Sequence, residues 1–74
     1  MLERITVPAQ LYLGINVFCP AENAVYEITD IQGDSLHPDV TLNRCLYDCT
    51  LSQASISVNF DDMYANYMTI MANS

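Results

Sequence analysis

Lysine is missing altogether, and the only cations in 74 residues are Arg4 and Arg44, set against nine carboxylates. A protein that grips a nucleic-acid backbone needs several Lys or Arg side chains to displace condensed counterions. At a net charge of -7, direct DNA or RNA binding is the first class to go. Docking on an anionic membrane surface fails on the same ground. Tryptophan is absent too, and two glycines are too few for a phosphate-cradling loop. No apolar run approaches the ~20 residues of a membrane span. Three cysteines, an odd number, speak against a secreted disulfide framework and make a reducing cytoplasm the expected compartment. The segment LYLGINVFC (11–19) has the length of a signal-peptide core. Only Arg4 precedes it, however, with Glu3 offsetting that charge, and Ala21-Glu22-Asn23 is a poor cleavage site. Export is not expected.

What is present is apolar: 51% of the residues, including five tyrosines, two phenylalanines and four methionines. Residues 1–74 make one domain. A chain this short leaves roughly 40% of its unfolded-state surface exposed. Some apolar surface should therefore stay outside the core and mark an interface.

Short strands are expected around 5–7 and 16–19, with Pro8 and Pro20 at their ends or edges. AVYEITDI (24–31) is the clearest strand, placing Tyr26 and Ile28 on one face and Glu27 and Thr29 on the other. Gln32-Gly33-Asp34-Ser35 reads as a turn, with Gly33 able to take positive φ. VTLNRCL (40–46) follows, with Val40 and Leu42 sharing a face. In LSQASISVNF (51–60), Ala54, Ile56, Val58 and Phe60 alternate with Ser55, Ser57 and Asn59. That period of two predicts a half-buried strand with the first set inward.

FDDMYANYMTIM (60–71) can be read two ways. Phe60, Met63, Tyr64, Tyr67 and Met71 fit one helical face, with Asn59 as N-cap and Asp61 and Asp62 in the favourable first turn. No cation or glycine closes such a helix, and Tyr67, Thr69 and Ile70 prefer strands. The preferred reading is one helical turn over 60–64, then a closing strand at about 66–71. The alternative is an α+β fold, an antiparallel sheet with a C-terminal helix over 60–72.

Strands, a helical turn and a short last strand make the order of a small SH3-like barrel, mostly β, with about five strands. At fold level the run VYEITDIQGD…VTL…ISVNFDDMYANYMTI resembles small phage and prophage SH3-like proteins. Their last third often reads valine, a few residues, phenylalanine, three or four residues, tyrosine, then a hydrophobic strand. The resemblance covers roughly Asn16 to Ile70. It implies the fold and a mobile-element origin, and no catalytic residue, because that fold hosts many unrelated functions.

Cys19, His37, Cys45 and Cys49 are the only conceivable zinc set. Their C-x₃-C spacing, flanked by bulky Leu46 and Tyr47, departs from the usual C-x₂-C knuckle. Cys45 and Cys49 would also flank a three-residue hairpin loop, where facing positions about 4.5 Å apart at Cα can just form a disulfide. The preferred reading is reduced thiols acting as small hydrophobes, with no metal and no cofactor. A Cys–His nucleophile pair using His37 lacks any oxyanion motif. Asp30, Asp34 and Asp39 do not match the D-x-D-x-D-G spacing of a calcium loop. Enzyme activity is not expected.

The acidic and aromatic side chains remain. Glu27, Asp30, Asp34 and Asp39, with a second knot at Asp61 and Asp62, can either keep an apolar protein soluble or steer it to a basic site. Tyr64 and Tyr67, flanked by Met68 and Met71, can be core or anchors of a contact. The functional expectation is a non-catalytic, phage-encoded interaction module that inhibits or adapts a host protein, such as one with a basic nucleic-acid-binding surface. The alternatives are a homo-oligomeric assembly protein, a homodimer being the simplest, and an oligomer binding a small molecule between protomers. In either class, the chain should bind neither duplex nor single-stranded DNA at physiological salt. A filter-binding constant tighter than about 10⁻⁵ M would contradict the charge argument.

Overall fold

The computed structural model describes residues 1–46 and 50–70. Its strands are β1 (Leu2–Arg4), β2 (Asn16–Cys19), β3 (Ala24–Gly33), β4 (Pro38–Cys45), β5 (Leu51–Asn59) and β6 (Met68–Ile70), with one helix, α1 (Phe60–Asn66), before the last strand. They form a single antiparallel sheet in the order β1-β6-β2-β3-β4-β5. The expected class, mostly β with one short helix near the C-terminal end, is the observed one. β2 to β5 form a meander, and β6 returns beside β2, with Val17 facing Thr69 and Phe18 facing Met68. No helix of the described residues is long and apolar enough to cross a membrane.

Alternation builds the core. Ala24, Tyr26 and Ile28 of β3 and Val40 and Leu42 of β4 are buried on one side of the sheet. Ile28 faces Leu42, but the next paired residue of β3 is Asp30, opposite Thr41. Thr29 is thus an extra residue, a bulge that keeps Asp30 on the outer side and returns Ile31 to the core side opposite Val40. Gly33 ends the strand with φ +93, the left-handed conformation its missing Cβ permits.

The helix stops where the strand preferences begin. Asn59 caps it, its side-chain oxygen accepting from the Asp61 N–H at 3.1 Å. Phe60 and Met63, three residues apart, are its buried positions. Tyr67 is already extended (φ -127, ψ 157) and closes the last turn by donating its N–H to the Met63 carbonyl at 3.1 Å. The alternative helix over 60–72 does not form: α1 ends at Asn66 and β6 takes Met68–Ile70.

The first strand begins earlier than expected. Leu2–Arg4, not 5–7, is the strand, pairing with β6. Ile5 drops into the core, and Pro8–Gln10 form a single 3-10 turn. Gln10 explains the break. Its Oε1 accepts from the backbone N–H of Thr6 and Val7 and from the Thr6 hydroxyl, while its Nε2 donates to Glu3 Oε1 and the Arg4 carbonyl.

β5 corrects the sequence reading more sharply. Its alternation is right, since Val58 faces Val40 and Ile56 faces Leu42 on the core side. β5 is nevertheless the edge of the sheet, and the core ends at Val58, which packs against it half-buried. Ile56 is 42% exposed. Leu42→Ala should therefore cost about 2–5 kcal/mol, as a buried truncation does. Ile56→Ala should cost under about 1 kcal/mol. Urea midpoints of the two variants decide this, and equal losses would place Ile56 in the core.

Candidate functional site

The outer side of β3, β4 and β5 is polar over three successive rows. Glu27, Asn43 and Ser55 stand in one register row, Asp30, Thr41 and Ser57 in the next, and Gln32, Asp39 and Asn59 in the third. Neither arginine belongs to these rows. Arg44 faces Tyr26 across β3 and β4, on the core-side row, and Arg4 lies at the far edge in β1.

Hydrogen bonds hold much of this face in place. The Thr29 hydroxyl donates to Asn43 Oδ1 at 2.7 Å, and Asn43 Nδ2 donates to the Ser52 carbonyl at 2.8 Å. Asp30 accepts from the Ile31 N–H at 3.0 Å and from the Gln32 amide. Asn59 Nδ2 donates to Asp39 Oδ1 at 3.0 Å. Asp34, in the hairpin between β3 and β4, accepts from the Leu36 N–H at 2.7 Å, a side-chain turn typical of aspartate. His37 Nδ1 lies 3.3 Å from Asp61 Oδ1 with both side chains well exposed.

Asp34, Asp39 and Asp61 therefore surround one end of the sheet, with Asp30 and Glu27 extending the charge along it. Asp62 does not join them. It lies near enough to Tyr67, together with Glu22, to help hold that phenol protonated. Consecutive helical residues point about 100° apart, so the expected acidic knot divides between two sides. Ser55 and Ser57 of β5 and Thr41 and Asn43 of β4 were readable as outward residues from the alternation in 51–60 and 40–46, but not as neighbours of these carboxylates.

Tyr67 is a correction. It is only 9% exposed and packs edge-on against Tyr26, ring centroids 6.0 Å apart at 71°. Its ring belongs chiefly to the core, and only its rim reaches the groove lined by Tyr64. Tyr64, one turn earlier on α1, is 49% exposed and lines a shallow groove with Arg4, Pro20, Ala21, Asn66 and Met68. Met71 lies outside the described residues.

The three candidate zinc ligands among the described residues are scattered. Cys19 is buried in the core, while His37 is exposed in the hairpin. Cys45 is half-buried with its Sγ 4.0 Å from Asn16 Oδ1. Cys49, and with it the proposed Cys45–Cys49 bridge, lies outside the described residues. Among the described residues no three His, Cys, Asp or Glu side chains are grouped to hold a metal ion.

No protein-family model, curated protein or solved structure matches this chain. The functional reading rests on the side chains themselves.

The Tyr26 hydroxyl donates to Glu22 Oε1. That hydrogen bond, then burial, then the Glu22 charge, push the Tyr26 pKa up to about 12. Burial chiefly, with the negative charges around it, raises Tyr67 as well. A phenol whose pKa is higher folded than unfolded adds stability below the unfolded value of about 10 and loses it above. Stability should thus fall between the ordinary tyrosine pKa and about 12. Tyr26→Phe should flatten that fall and remove the latest phenolate step from a native ultraviolet titration. A native titration no later than that in denaturant would contradict the Tyr26–Glu22 bond.

Proposed function

We propose that this chain is a non-catalytic interaction module whose acidic sheet face docks on a basic surface of a protein partner and so inhibits or adapts it. The single observation behind this reading is the run of three polar rows on which Glu27, Asp30 and Asp39 stand, with no cation in those rows. Asp34 and Asp61 extend the negative end beyond the sheet. A face of one sign speeds encounter with an oppositely charged site and rejects like-charged ones. A surface that normally holds nucleic acid is the partner class such a face fits best. The fold-level resemblance to phage and prophage proteins supports a host protein in the cytoplasm as the target. Homo-oligomer formation is the second reading, favoured by the uncharged, exposed edge of β5.

Affinity capture from a bacterial lysate, with the bound proteins identified by mass spectrometry, tests the docking reading. A specific basic partner should be retained at ionic strengths near 0.1 M and released near 1 M, where the Debye length contracts from about 10 Å to about 3 Å. Glu27→Lys and Asp61→Lys should slow association several-fold and leave dissociation nearly unchanged, as charges that steer from a rim do. A partner retained equally at both salt levels and by both variants would reduce the acidic face to a solubility device.

A further inference from the structure

Edge strands are normally blunted by charge, proline, brevity or a bulge, because their unpaired backbone groups template another strand. The other edge of this sheet, β1, is three residues long and carries Glu3 and Arg4. β5 is nine residues long, LSQASISVN, with no charged residue and no proline. Its register against β4 shifts only between Cys45 and Asn43, which leaves 55–59 regular.

The hydrogen-bonding phase of that edge can be derived. Ile28 donates its N–H to the Ile15 carbonyl at 3.0 Å and accepts from the Gly14 N–H at 2.9 Å. Both its backbone groups thus point away from β4. In an antiparallel ladder such pairs alternate, so Leu42, opposite Ile28, turns its groups to β5, where it faces Ile56. The groups of Ser55 and Ser57 therefore point outward from the sheet, and among the described residues no strand pairs with them.

We infer that this edge pairs with the same edge of a second copy, antiparallel about a two-fold axis at Ile56. The inference goes beyond the acidic docking reading and does not depend on it. In that register Ser55 of one copy faces Ser57 of the other and exchanges backbone hydrogen bonds with it, twice by symmetry. Ile56 faces its own symmetry mate in a non-hydrogen-bonded pair, the arrangement that brings opposed side chains closest. Ala54 falls opposite Val58. Apolar meets apolar on the core side, and hydroxyl meets hydroxyl on the outer side. The exposed Ile56 gains the cover that its own chain does not provide.

Charge selects this partner and this edge. Two chains of net charge -7 repel wherever their carboxylates meet, which disfavours association through the acidic face. Across the inferred interface the two β4 strands, with Asp39 on each, lie three strand spacings apart, about 14 Å. That exceeds the Debye length of about 8 Å at physiological ionic strength. A two-fold interface also consumes both long edges, so assembly stops at two copies.

Sedimentation equilibrium from micromolar to near-millimolar chain, with amide exchange by NMR, tests the inference. The concentrated protein should have twice the chain mass, with the Ser55 and Ser57 amides slow to exchange and becoming fast on dilution. Ser57→Pro removes only an outward N–H, and Ile56→Lys places a charge at a side chain already exposed. Both should give monomers that unfold close to the midpoint of the unmodified chain at dilutions where it is itself monomeric. The exchange readout on the unmodified chain stands even where a variant fails to fold. A monomer at every concentration with fast Ser55 and Ser57 exchange would overturn the inference and leave the edge to solvent or to a strand of another protein. A dimer that survives both substitutions in folded form would overturn it equally.

Discussion

The sheet depends on seven residues, Phe60–Asn66, that carry the chain away from one edge and return it to a slot near the other. β5 ends at the outer edge, while β6 must pair with both β1 and β2. A short helix can cover that passage only if it buries something on the way. Phe60 and Met63 do so, and Asn59 at one end and the extended Tyr67 at the other set its length. β1 has no other strand neighbour than β6. Two of the six strands therefore rest on the helix being short and its two apolar residues being inside.

The same residues show what could be read in the sequence. Asn59, the two aspartates after it and the strand preference of Tyr67, Thr69 and Ile70 are local signals, and each acts within a few residues of itself. They located the helix start and the following strand, and the helix ran two residues past the expected 64 to Asn66. β3, β4 and β5 were legible for the same reason, through alternation. Position within the sheet was not. Alternation says which side of β5 is Ile56, but only the neighbours of β5 decide whether that side is covered. The first strand was expected at 5–7 and lies at Leu2–Arg4, because its partner, β6, is at the opposite end of the described chain and leaves no mark on the local pattern.

The candidate site divides along the same line. Glu27 was identifiable as an outward strand residue, whereas Asp30 and Asp39 read as turn residues; the bulge at Thr29 and the earlier start of β4 align them. Asp61 and Asp62 looked equivalent as neighbours in sequence, yet a helical step sends them to different surroundings. Tyr64 and Tyr67 looked equivalent as a stripe, and the end of the helix between them separates surface from core. The outcome is a molecule with distinct sides. Its carboxylates gather on the outer face and its hairpin end, and its long free edge is neutral. Charge and hydrogen-bonding capacity thus occupy separate surfaces, so contact with a basic protein and contact with another copy need not compete.

Gln10 has a consequence of a different kind, in chemical durability. One primary amide accepts three hydrogen bonds and donates two, tying the strand at Leu2–Arg4 to the turn that follows it. A carboxylate has the same shape and no donors. Hydrolysis of that amide to glutamate would set a new negative charge against Glu3 Oε1 and the Arg4 carbonyl, where two N–H groups had been. The three bonds it accepts would survive, and the two that reach back to β1 would become repulsions. The tie between the first strand and this turn therefore ages at the rate of a single side-chain amide.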